Sequence, residues 1–258
     1  MSNNWISKLL GVALFWSWAL NIQAEAEMPL PVFSEEGLSA YIAAKYKKDA
    51  TRLALRLISK NGNYATLEAK APVGEVEGIY NALVGVHNSL DPMAKLVTRN
   101  HKLHTFPVPS VDRFFVVYNR SAEWAKPLRL GDNRTDSDQI NGLIDEFNLK
   151  ITKHVEWDEE NNSFHVRAEE SLNIAPIGQS ISKVEGVKMV DLLMPDGDGN
   201  DIEIAKIEDG YELNYMIKFD SCITGCKKKH VWTFHVTASG TKVKFIREYG
   251  DDLPPWMK

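Results

Sequence analysis

The sequence predicts an α+β protein in which a ferredoxin-like βαββαβ unit precedes a C-terminal antiparallel β-meander. Three patterns carry that expectation. Between 109 and 195, short β-rich runs and helix-period runs follow one another as β-α-β-β-α-β, the order of a split βαβ unit with two helices on one face of a four-stranded antiparallel sheet. Beyond 196 the runs are β-rich only, and Asp209-Gly210 and Ser239-Gly240 each separate two of them as hairpin turns do. An apolar fraction of 44% with 25% charged residues belongs to a globular chain and excludes disorder.

Taken in order, the first residues predict export. Lys8 gives a positive start, and Leu9 to Leu20 is apolar except for Gly11 and Ser17. Ala24-Glu25-Ala26 then offers the small-x-small site of a signal peptidase. The apolar run is shorter than the roughly 20 residues a bilayer span needs. Residues 1–26 therefore read as a signal peptide, with a soluble periplasmic or extracellular protein and no membrane span after cleavage. A net charge of −5 with mixed signs gives no electrostatic footprint for nucleic acid, so the expected partner is a protein or a small molecule.

Residues 27–108 read as a smaller N-terminal α+β region. Leu38 to Tyr46 predicts a short helix. Leu53, Leu55 and Leu57 alternate before Asn61-Gly62, which predicts a hairpin returning through 64–69. Val76, Ile79, Tyr80, Leu83, Val84 and His87 recur at helical spacing, so 75–88 reads as an amphipathic helix. Phe106-Pro107-Val108-Pro109 opposes both helix and central strand and marks a boundary.

In the middle unit, 113–118 reads as a strand, and Asp136 as the cap of a helix with Ile140, Leu143, Ile144 and Phe147 on one stripe. Strands at 150–157 and 163–168 flank a polar turn. A helix over 174–184 ends at Gly186, and 187–194 is the last strand. In the meander (196–258), strands are expected at 202–207, 211–219, 231–236 and 242–249. Tyr211, Leu213, Tyr215, Ile217 and Phe219 share one face, and Trp232 and Phe234 are core residues.

A resemblance accompanies these patterns. Tyr80-Asn81-Ala82-Leu83, the surroundings of Trp124, Ile144-Asp145, and Asp220-Ser221-Cys222 through Cys226 to His230 and Trp232 carry it, with Gly250-Asp251 and Leu253-Pro254 at the end. Over most of the mature chain the sequence resembles an uncharacterised group of exported bacterial proteins, whose specific motif is Cys-x3-Cys-x3-His-x-Trp. The resemblance implies export and fold and carries no activity. The βαββαβ unit is also similar in topology to prosegments and inhibitors of subtilisin-like peptidases, where a Gly-Val step introduces the last strand as Gly186-Val187 does here.

Candidate sites are few. Cys222 and Cys226 are the only cysteines, and in an exported chain they predict a disulfide. The alternatives are a redox pair activated by Lys227, Lys228 and Lys229, or a zinc site from Cys222, Cys226 and His230. Asp196, Asp198, Asn200 and Asp201 space oxygen ligands as a calcium loop does, although Asp201 and Ile207 break the EF-hand pattern, and a solvated turn is the plainer reading. His101 and His104 read as surface histidines. Asn119, Asn133 and Asn161 begin glycosylation sequons that matter only in a eukaryotic host. No nucleophile elbow, zincin motif or phosphate-cradling glycine loop is present, so no catalytic residue and no cofactor is predicted. The expectation is a non-catalytic binding or structural module, with a prosegment-like peptidase inhibitor or a Cys2His metal or redox protein as alternatives.

Overall fold

The computed structural model describes residues 37–257. The predicted signal peptide over 1–26 lies outside those residues. Helix α1 (Ala40–Ile58) starts at Ser39, whose hydroxyl accepts from the Ile42 amide, and buries Tyr46, Ala50 and Leu53 along one stripe. The predicted hairpin over 53–69 is therefore not formed. The Leu53/Leu55/Leu57 alternation is also compatible with a helix, and the surrounding Ala, Leu, Lys and Arg residues are strong helix formers. Asn61 and Gly62 do turn the chain, with φ of 55° and 71°, but after a helix rather than between strands. Helix α2 (Val73–Asn88) forms as expected, and a single turn α3 (Pro92–Lys95) runs into a π-helical turn at Leu96–Asn100. Residues 37–108 hold no strand among the described residues, which corrects the α+β reading of that region.

The middle of the chain forms a four-stranded antiparallel sheet of order β2-β3-β1-β4 from β1 (Arg113–Asn119), β2 (Leu149–Glu156), β3 (Asn161–Ala168) and β4 (Val187–Asp191). A short turn α4 (Lys126–Arg129) and helix α5 (Asp138–Glu146) connect β1 to β2, and α6 (Ile174–Ile181) connects β3 to β4. Ser137, not Asp136, caps α5, its hydroxyl accepting from the Ile140 amide. A second four-stranded antiparallel sheet follows in sequential order: β5 (Asp201–Ile207), β6 (Gly210–Phe219), β7 (Lys228–Thr237) and β8 (Val243–Gly250).

Two cores result. One lies between α5, α6 and the inner face of the middle sheet, where Phe114, Val116, Tyr118, Phe164 and Val166 meet Ile140, Ile144, Ile174 and Ile177. The other joins α1 and α2 to the C-terminal sheet through Tyr46, Leu53, Ile79, Leu83, Leu213, Tyr215, Trp232 and Phe234. Helices α1 and α2 thus share one core with the C-terminal sheet, separate from that of the middle unit. Helix α2 comes close enough to the sheet for backbone contact. A Cβ on Gly85 would stand 2.3 Å from the Gly240 carbonyl oxygen, and one on Gly78 would stand 2.7 Å from the Tyr211 hydroxyl.

Candidate functional site

The Cys-x3-Cys-x3-His-x-Trp segment is a structural clasp. Cys222 and Cys226 form a disulfide across the β6–β7 loop with Cα atoms 4.0 Å apart. Both sulfurs are therefore committed, and neither is a thiolate able to bind zinc. His230, buried at the start of β7, turns to β8 instead: its Nδ1 meets the Asp251 carbonyl oxygen and its Nε2 the Glu248 carboxylate, each at 2.8 Å. Its ring also lies 4.5 Å from that of Trp232.

The oxygen-rich loop is equally occupied. Asp198 accepts from Lys218 Nζ (2.9 Å) and from the Gly199 amide, and the Asn200 side chain accepts from the Lys218 amide. Asp198 feels burial pushing its pKa up, but those partners hold it below the usual value. Asp201 accepts from Arg56 (2.9 Å) and from the Phe106 amide (2.7 Å). Asp196 enters no such arrangement, and no group of three or more His, Cys, Asp or Glu side chains among the described residues is placed to hold a metal ion.

His101 and His104 are not surface histidines. His104 Nδ1 donates to buried Asp49 at 2.6 Å, and the Thr105 amide and hydroxyl donate to the other oxygen of the same carboxylate. His101 packs on Trp232, and His87 shares a hydrogen bond with the Tyr46 hydroxyl at 3.0 Å. Burial, with the nearby charges of Arg99 and His104, lowers the pKa of His87; burial and His230 lower that of His101. Together with Arg52 and Arg56, which donate to the carbonyls of Pro109 and Val108, the Asp49 contacts with His104 and Thr105 tie the segment between the π-helical turn and β1 onto α1. Their polar atoms serve the scaffold.

The outer face of the middle sheet is only partly covered, and its edges carry the exposed side chains Arg113, Trp157 and Met189. Phe114, Val116 and Tyr118 point to the helices, so the intervening residues of β1 point away from them. An antiparallel sheet with one solvated face alternates apolar and polar residues. The Arg-Phe-Phe-Val-Val-Tyr run of β1 does not, because its outward positions are Arg113, Phe115 and Val117. Strand register sets these in rows. In the first, Lys150, Arg167 and Arg113 lie side by side on β2, β3 and β1. In the second, Lys153, His165, Phe115 and Asp191 cross all four strands, and the Phe115 and His165 rings stack with centroids 5.6 Å apart. The third row is Val155, Ser163, Val117 and Met189. Trp157 folds back from the end of β2 until its ring meets the edge of Phe115 at 5.9 Å, yet it stays 52% exposed. None of these outward side chains belongs to either core cluster, but Val117 and Ser163 in the third row are themselves buried.

The first row borders a cleft of about 720 Å³ between α1, α2 and the end of β3. Val76, Tyr80 and Leu172 are among its apolar lining residues, and Arg167 belongs to both cleft and row. Around the rim Lys48 pairs with Asp112 at 2.6 Å, and Glu169 pairs with Lys150 at 2.7 Å. The sequence reading missed this surface, since its residues come from four strands far apart in the chain. The one available signal was β1, apolar on both sides. No known protein family, curated protein or solved structure matches the chain.

Proposed function

We propose that the chain is an exported, non-catalytic binding module whose ligand surface is the outer face of the middle sheet with its adjoining cleft. The in-register rows are the observation that carries this reading. Like charges placed directly opposite across strands are destabilising, and aromatic side chains with Arg and Met are what binding surfaces enrich. A sheet that sets Arg113 beside Arg167 and leaves Trp157 and Met189 exposed has a surface suited to a partner rather than to water. The strand order, with both helices on one side, supports reading 109–195 as a ferredoxin-like unit. The disulfide fits an oxidising compartment, as export would provide, and fits the resemblance to exported bacterial proteins.

Affinity capture from an envelope extract tests the reading when three forms are compared: wild type, Phe115→Ser/Arg167→Gln, and a control altered on the other sheet, Glu212→Gln/Arg247→Gln. A species held by wild type and the control but lost by the first variant is expected. Equal retention by all three would overturn the assignment of the face. The same strand order keeps the peptidase-inhibitor reading as a second possibility, and failure to inhibit subtilisin-like enzymes at micromolar protein would remove it.

A further inference from the structure

We propose that the cleft beside the middle sheet takes a short apolar peptide with free ends, its ammonium toward α2 and its carboxylate toward α1 and the end of β3. The inference rests on the binding reading above and adds the class of ligand. Two helix faces build the cleft. Ala44, Lys47, Lys48 and Thr51 recur at i, i+3, i+4 and i+7 and so share one face of α1. Val73, Val76, Glu77 and Tyr80 do the same on α2. The end of β3 and the turn after it, from Arg167 to Leu172, form a third wall. Tyr80 belongs to one core and Leu172 to the other, so the cleft lies where the two parts of the fold meet, a common place for small-molecule sites. Its volume of about 720 Å³ also falls within the range of such sites, about 300–1,000 Å³.

The charges are divided between the walls. The α1 face carries only cations, Lys47 and Lys48, and the α2 face only an acid, Glu77. Lys48 is engaged with buried Asp112 at 2.6 Å, a pair that ties α1 to the residue before β1 and fixes that wall. Lys47 and Glu77 line the same cleft with opposite sign, yet neither side chain forms an ion pair among the described residues, and nor does that of Arg167. The apolar lining includes buried Tyr80, Ala168 and Leu172, and Val73 adds a side chain 77% exposed. A simple anion or cation would meet like charge on one wall. An uncharged apolar ligand would take water from the unpaired charges and return no hydrogen bond. A zwitterion with apolar side chains meets each wall with the opposite charge and covers the apolar lining. The volume suits a drug-sized ligand rather than a single amino acid, which selects a peptide of two or three residues.

Calorimetric titration of the intact protein tests this with four probes: Ala-Leu-Ala, the same peptide acetylated and amidated at its ends, triglycine, and free leucine. Ala-Leu-Ala is expected to bind once per chain, and the other three at least tenfold more weakly. A hydrogen bond to a charged group contributes about tenfold or more, so Lys47→Gln and Glu77→Gln should each weaken Ala-Leu-Ala by about that factor. Both positions are exposed on their helices, and unchanged denaturation curves would establish that the variants fold. Glu212→Gln/Arg247→Gln, on the other sheet, should bind as wild type does. Absence of Ala-Leu-Ala binding at millimolar concentration, equal affinity for the capped peptide or for triglycine, or affinity indifferent to Lys47→Gln and Glu77→Gln would each overturn the proposal. Leucine binding as tightly as the peptide would overturn it in favour of a free amino acid. If capture still depends on the face while Ala-Leu-Ala fails, the binding reading stands and the ligand class falls.

Discussion

Both sheets have four antiparallel strands and a helix-covered inner face, but their outer faces differ. On the C-terminal sheet the outward positions satisfy one another. Thr233 donates to Asn214 across the strands at 2.7 Å, His235 Nε2 meets Glu212 at 3.1 Å, and the Arg247 guanidinium sits over the Tyr249 ring. Thr233 is itself buried there, as are Met216 and Val231 on the same face. On the middle sheet the outward positions set cation beside cation and leave Trp157 and Met189 exposed, while Val117 and Ser163 are buried. A sheet with nothing to bind would be expected to resemble the first, so the contrast distinguishes a structural surface from a binding one.

The inner faces should not show the contrast, and this is where the largest effects lie. Trp232→Ala and Phe164→Ala, one beneath each sheet and both fully buried, should each cost about 3–5 kcal/mol in equilibrium denaturation. Removing the disulfide with Cys222→Ser/Cys226→Ser should cost about 2 kcal/mol, because so short a loop constrains the unfolded chain little. If the disulfide variant lost more than Trp232→Ala, the loop rather than the aromatic core would anchor the C-terminal sheet. Gly85→Ala should cost about 1–3 kcal/mol, since a methyl there would force α2 off the Gly240 turn.

Acid should act on the helical side of the C-terminal sheet. His87 and His101 have folded-state pKa values below the ordinary 6.5. The unfolded chain therefore binds the more protons below about that pH, and stability is full above it and declines as the pH falls. His87→Gln/His101→Gln should flatten the melting temperature between pH 7 and 5. At lower pH a separate loss should follow through Asp112. Burial pushes the pKa of Asp112 up, but Lys48 and Arg113 hold it below its ordinary 3.8, so its contribution fades as the pH falls below that value. An unchanged pH profile in the histidine double variant would show that these rings do not set the acid response.

How much of this was legible in the sequence follows from the range of the forces involved. Hairpin turns and strand alternation are local, so the meander and the one-sided burial of Tyr211, Leu213, Tyr215 and Ile217 could be read directly. The pairing of Cys222 with Cys226 was legible for the same reason. The α1 hairpin error came from treating three alternating leucines as a strand when Tyr46, Ala50 and Leu53 also mark a helical stripe. Asp49, His104 and Asp201 were not legible as a network, since contacts across 55 to 145 residues bind them together and no local pattern reports those. The cationic row was hidden in the same way: Arg113, Lys150 and Arg167 are unremarkable on their own strands and become a site only through register.

The difference between the outer faces is tested most directly by the stabilities of Arg167→Gln and Thr233→Val, measured side by side by equilibrium denaturation. Thr233→Val removes a buried donor from Asn214 and should cost about 1 kcal/mol. Arg167→Gln relieves the crowding of Arg113 and Lys150, so the variant should unfold within about 0.5 kcal/mol of wild type or above it. A loss of more than about 1 kcal/mol in Arg167→Gln would contradict the account, because the cationic row would then be part of the framework of the fold.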